Sequence, residues 1–172
     1  AQSPEDVSGY VESNWHTLEF EHSWQSESQK RKALEMAMLA SNYLAENPNP
    51  HAVEQSFELE FGRLRIRGKI DRIEKTSEGL LVADLKTGKT NLDASKNMQL
   101  AIYQLAVEQL HPEEKVLGAK LISIGTGKLK ESEQSPLDSE AIARLHEAFT
   151  RFEEHGNSQF VTANLSDHCA AD

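Results

Sequence analysis

Cysteine is all but missing from this chain. Cys169, single among 172 residues, excludes an internal disulfide framework and fits a reducing cytoplasm, the expected location. Long apolar runs are missing too: none approaches the about 20 residues that cross a bilayer, so no membrane partner is expected. The opening AQSPEDVSGY has neither the basic n-region nor the apolar h-region of a secretory leader, and reads as the cut end of a larger protein. Positive charge is in short supply as well. Against 28 Asp and Glu stand 18 Lys and Arg, a net charge of −10, which argues against a surface devoted to phosphate backbones. A local site built around cations survives that objection, because acidic side chains are the ligands of hard metal ions.

What is present suits a folded domain. Hydrophobic residues make up 38% and charged residues 27%, and the length allows one core of useful size. Residues 1–25 are polar without a clear period, although Trp15, Leu18, Phe20 and Trp24 offer packing surface. SESQ at 26–29 is a capping-box pattern with Ser26 as N-cap, predicting a helix to about Leu44 with Leu34, Ala37, Met38, Ser41 and Leu44 on its apolar side. ENPNP then stops it. From Val53 the period falls to two. Phe57, Leu59 and Phe61 alternate with glutamates, and after Gly62 the side chains of Leu64, Ile66, Gly68 and Ile70 alternate with Arg63, Arg65, Arg67, Lys69 and Asp71. LLVADLK is apolar enough for a central strand. These predict an antiparallel three-strand meander.

Beyond it the pattern predicts a helix from about Ala94 to Leu110, a strand over 116–125, a polar loop TGKLKESEQSP, and a last helix. That helix is capped by Asp138, carries Ile142, Leu145, Phe149 and Phe152 on one side, and is closed by Gly156. The expected fold is α/β in the broad sense (α+β): a small mixed sheet flanked by helices. The expected division is an N-terminal helical segment, residues 1–50, packed on a core of residues 51–172.

The stretch GLLVADLKTGKT, residues 79–90, admits two chemistries. Its GKT ending resembles a phosphate-binding loop, but Ala83 stands where that loop needs its first glycine, and residues 83–86 belong to a strand. A nucleotide-binding protein of this kind would bind ATP. The other chemistry is a metal site. Asp84 and Lys86 are two apart on a strand and leave the same face, and Asp71 on the neighbouring strand can converge on Asp84. Two such carboxylates suit Mg²⁺ or Mn²⁺, with the Leu85 carbonyl as a further ligand and Lys86 beside a bound water. A surface Asp–Lys pair is the plainer alternative.

GKIDRIE, VADLKTGK and QLAIYQLAV resemble, in order and spacing, the RecB-like nucleases of the PD-(D/E)XK superfamily. There G-x-x-D-R-[IL] is followed by D-x-K-T-G and by a helix carrying Q-x-x-x-Y. The resemblance covers about residues 53–125 and implies a restriction-endonuclease-like core. It implies Asp71, Asp84 and the Leu85 carbonyl as metal ligands, Lys86 as catalytic lysine, and Gln99 with Tyr103 on one helix face toward the site or the DNA. For that last pair, bracing helix against sheet is the alternative. Thr87 and Gly88 would shape the strand end, and Arg63, Arg65, Arg67 and Lys69 would be either a DNA track or a solvated strand face. Such domains are fused to UvrD/PcrA-like helicases in machines of the RecBCD, AddAB and AdnAB type. The implied activity is that of a metal-dependent deoxyribonuclease, an exonuclease serving DNA repair and recombination, with DNA and a helicase domain as partners. The alternative is a catalytically inactive nuclease-fold module that binds DNA or a partner helicase domain.

Two departures from the family pattern temper the expectation. The upstream G-x-x-x-H motif is missing around His16, His22 and His51 and is expected before Ala1, so this piece is expected to be weakly active or inactive alone. At the other end Phe160, Ala163, His168 and Cys169 fit the approach to an iron–sulfur site, but a cluster needs four cysteines and could form only in a longer chain.

Overall fold

Alternation of apolar and charged residues gives two long strands, β1 (Pro50–Phe61) and β2 (Leu64–Lys75), joined through Gly62 and Arg63. The structure is a computed structural model and describes residues 4–20, 22–88 and 93–156. β3 (Leu80–Lys86) pairs antiparallel with β2, completing the expected meander. The chain then crosses over through α3 (Met98–Leu110) and returns as β4 (Val116–Ser123), parallel to β3. β5 (Lys130–Gln134) lies antiparallel on β4, and α4 spans Ser139–Gly156. The sheet order is β1-β2-β3-β4-β5. Before the sheet come α1 (Pro4–Asn14), a 3₁₀ turn (Trp15–Thr17) and α2 (Ser23–Glu46).

Helices cover both faces. On one, Leu100, Tyr103, Ala106 and Val107 of α3 pack on Phe57, Leu59, Ile70, Ile73, Leu80, Val82 and Leu121, while Leu145 and Phe149 of α4 extend the layer through Ala101. On the other face Tyr43 of α2 meets Ala83 and Ile122. The mixed α+β architecture is the expected one. No helix among the described residues is long and apolar enough to cross a membrane.

Several expectations need correction. Residues 130–134 form an edge strand rather than a loop; their sequence KESEQ has no apolar residue, so backbone pairing with β4 makes the strand. Charged side chains on such an edge discourage further strand addition. α3 begins at Met98, because Asn97 caps it by accepting the Leu100 N–H at 3.0 Å, and Ala94 sits in the preceding turn. α2 begins at Ser23; Ser26 lies inside it, and its hydroxyl accepts the Trp15 indole N–H at 2.9 Å instead of capping. α2 buries Ala37, Ser41 and Tyr43, leaving Met38 and Leu44 exposed. Phe152 of α4 is exposed, whereas Asp138 caps that helix as expected, accepting the Ala141 N–H at 2.7 Å. Lys89, Thr90 and the 160–169 segment lie outside the described residues.

Candidate active site

β3 sorts its side chains by parity. Leu80 and Val82 enter the α3-side core and Ala83 the α2-side core, so Asp84 and Lys86 continue the α3-side row. Asp84 is buried at the strand's end, 1% exposed, and Lys86 Nζ lies 2.8 Å from its Oδ2. The same ammonium donates to Gln99 Oε1 at 3.1 Å, and Gln99 Nε2 donates to the Tyr103 hydroxyl at 2.7 Å. A continuous polar row therefore runs from β3 onto the first turns of α3: Asp84, Lys86, Gln99, Tyr103. The i, i+4 spacing of Gln99 and Tyr103 puts them on one helix face.

Asp71 arrives by a different route. Ile70 and Ile73 both enter the α3-side core although they are three residues apart, and Ala52, the partner of Ile73 on β1, packs against it too. Strict alternation is therefore broken between them. At the break Glu54 of β1 has φ of +51°, rare for a residue with a side chain. The β2–β3 ladder runs from Lys75↔Leu80 to Arg72↔Ala83 and ends there, next to Asp71 and Asp84. Asp71 turns toward β3, and its Oδ2 accepts the Leu85 N–H at 3.1 Å. The expected sharing of one strand face with the arginine stripe is thus interrupted at Asp71. That stripe is not a free basic track. Arg65 pairs with Glu58 and Glu60, Arg67 with Glu58, Lys69 with Glu54, and Arg63 with Glu153 at distances from 2.6 to 3.2 Å.

Burial pushes the Asp84 carboxyl up from the usual carboxylate range; the Lys86 ammonium opposes this and the Asp71 charge adds to it. Asp84 Oδ2 is buried and faces the Lys86 ammonium at 2.8 Å. A buried carboxylate beside a second one fits an oxygen-seeking divalent cation. Asp71, Asp84 and the Leu85 carbonyl are the groups that could hold it. Among the described residues no group of three or more His, Cys, Asp or Glu side chains could hold a metal. Of the upstream histidines, His22 stacks on Trp24 and His51 faces His111.

Several supporting roles escaped the sequence reading. Gly68 lies opposite Phe57, whose ring edge would come within 2.7 Å of any added Cβ, and Phe57 in turn packs edge-to-face on Tyr103 at 5.7 Å. The glycine of GKID thus lets an aromatic ring brace the tyrosine. A Cβ on Gly125 would meet the Thr87 carbonyl oxygen at 2.0 Å, so the turn after Lys86 depends on a bare backbone beside it. Gln104 and Gln134 are the buried amide brace: Gln104 Nε2 donates to Gln134 Oε1 at 2.9 Å, and Gln134 Nε2 to the carbonyls of Ala94 and Asn97 at 2.9 and 3.0 Å. They fix the start of α3, hence Gln99. On the opposite face Glu74 accepts from Tyr43 at 2.5 Å and from Arg72 at 3.1 Å, and pairs with Lys120 at 3.0 Å. Arg72 also donates to the Asn47 carbonyl, tying the end of α2 to the sheet beside Asp71. Strand parity in DRIE placed Arg72 and Glu74 on one face, which was the available signal.

A sheet with paired carboxylates and a lysine at its strand ends, crossed by one helix, defines a class, and sequence comparison agrees. The chain belongs to the PD-(D/E)XK nuclease superfamily, whose sequence profile matches residues 1–171. The Gene 69 protein of Mycobacterium phage L5 is similar to it, 30% identical over 114 residues, covering 63% of this chain and 38% of that protein. The chain thus spans well under two thirds of that relative's length. Among solved structures, a Eubacterium rectale protein provisionally named an exonuclease aligns at 14% identity and a TM-score of 0.49, over 98% of this chain and 74% of its own. Protein VC1899 from Vibrio cholerae aligns at 16% identity and a TM-score of 0.32, over 80% of this chain and 31% of its own.

Proposed function

We propose that this chain is the nuclease domain of a larger DNA-repair helicase–nuclease and hydrolyses DNA phosphodiester bonds with Mg²⁺ or Mn²⁺, acting as an exonuclease. The observation that carries the proposal is the meeting of Asp71, Asp84, Lys86, Gln99 and Tyr103 at one end of the sheet. Bound by Asp71, Asp84 and the Leu85 carbonyl, the cation would supply a Lewis acid and a water acidified for attack. Lys86 would stabilise negative charge on the attacked phosphate, since its ammonium is mounted between Asp84 and Gln99. Gln99 and Tyr103 would hold that ammonium in register and offer donors to the strand. Residues 1–50 would form a helical unit packed on the core of 51–172, and exposed Tyr10, Leu18, Trp24 and Met38 support its contact with a helicase domain.

The test compares the purified protein with Asp84→Ala on labelled single- and double-stranded DNA, with Mg²⁺ or Mn²⁺ and with chelator. Cleavage should need the cation and vanish in a variant whose circular dichroism is unchanged; equal cleavage by both removes the assignment. A second reading, a non-catalytic module that binds DNA or a helicase domain, draws on the small ligand set and the neutralised arginine stripe. It predicts DNA binding without cleavage even by the longer protein of which this chain would form a part.

A further inference from the structure

Lys86, Gln99 and Tyr103 occupy the α3 face of the sheet's polar end, and the α2 face of the same end is hollow. Beneath the last turns of α2 lies a cavity of about 290 Å³. Tyr43 and Leu44 line it from the helix, Leu85 and Ile122 from the sheet, and Val53, Glu54 and Asp71 from the side. Leu44 and Val53 are exposed there although both are large and apolar. Two of the three groups that could hold the cation belong to this wall. Asp71 is one, and Leu85 is the other, its side chain packing on the α2-side core while its carbonyl stays in the strand backbone. A phosphate seated on that cation would therefore have Lys86 on one side and the cavity on the other.

We propose, resting on the nuclease reading above, that this cavity receives the base of the nucleotide next to the scissile phosphate. Its walls are mainly apolar, which suits the flat face of a base, and the Glu54 and Asp71 carboxylates on its side disfavour a phosphate inside. The polar ends of Tyr43 and Arg72 are committed to Glu74 and to the Asn47 carbonyl. The base is therefore held by its face rather than read at its edge, and all four bases are accepted. Entry requires a base that is neither paired nor stacked, so the strand at this step is single or frayed at its end. A seated base would also fix the position of the neighbouring phosphate against the cation. Exposed Leu44 and Val53 thereby acquire a role beside the carboxylates that core packing does not give them.

Fluorescence anisotropy of the full chain with labelled single strands tests this, with Ca²⁺ as the cation and gels confirming that each strand stays whole. The strands are oligo-dT, oligo-dA and an abasic strand of the same length, which keeps the phosphates and removes the bases. Leu44→Ser and Val53→Ser are measured beside the unaltered protein, with a melting curve for each. The unaltered protein should bind dT and dA about tenfold more tightly than the abasic strand. Each substitution should erase most of that preference while leaving abasic binding and Tm unchanged. A preference that survives both substitutions, or substitutions that weaken all three strands equally, overturns the proposal and leaves the nuclease reading standing. No binding of any strand, with no cleavage in Mg²⁺, overturns both. Substitutions that change sedimentation of the chain instead of DNA binding give the cavity to a second copy and overturn the proposal as well.

Discussion

A carboxyl buried to 1% exposure beside a second carboxylate is a conflict that one residue, Asp84, carries. Its folded pKa is raised, so below the unfolded value of about 3.9 the neutral group is comfortable in the fold. As pH rises through the folded value the charge forms and stability is lost, because the folded state had bound the extra proton. Without divalent cation, Asp84→Asn should therefore melt above the unaltered protein at pH 7, and the gain should shrink as pH falls toward about 4. Adding Mg²⁺ should reverse the order by stabilising only the carboxylate form. Calorimetry at several pH values checks both; a gain that is flat with pH would mean burial is not the cause. At this scale the sequence was legible where chemistry has a fixed spacing. Asp84 and Lys86 share a face because strands alternate, and Gln99 and Tyr103 because helices turn. Gly125 was not legible, since its constraint comes from Thr87, a residue remote in sequence that only the fold brings near.

Strands and helices were legible wherever burial imposes a period, as in Phe57, Leu59 and Phe61 of β1 or Leu145 of α4. They were not where backbone pairing alone does the work, as in β5, or where small and polar side chains form the seam, as Ala37 and Ser41 do in α2. The bend at Glu54 and Asp71 belongs here too. Period two carried through Ile70 assigns Asp71 a face, and a left-handed residue on the adjacent strand undoes that assignment. Glu54→Gly should remove a backbone cost of about 1–2 kcal/mol, raising Tm by roughly 2–4 °C per kcal/mol, since the lost pairing with Lys69 is an exposed one. Glu54→Val should lower Tm and, by shifting Asp71, lower any cleavage activity. Equal melting and equal rates for the two variants would show that residue 54 does not set the bend.

At the scale of the molecule, Tyr43 holds α2 to the sheet both by its apolar contacts with Ala83 and Ile122 and by its buried hydrogen bond to Glu74. Tyr43 is raised far above the ordinary phenol range, by burial first and by Glu74 second. Its contribution is complete below the unfolded value of about 10 and is lost as pH rises past it. Tyr43→Phe should cost about 1–2 kcal/mol in urea unfolding at pH 7, and the difference should narrow above about pH 10; an unchanged midpoint at pH 7 would leave the anchoring to Arg72 and Lys120.

The sheet's spatial order is also its order along the chain. It can therefore be laid down strand by strand during synthesis, with short-range contacts closing first. Asp71 and Asp84 come together when β3 joins β2, before Gln99 has left the ribosome. At that moment both carboxylates are still wet, and their repulsion is weak. Docking of α3 dries Asp84 only after the strands that must tolerate its charge are already fixed in place.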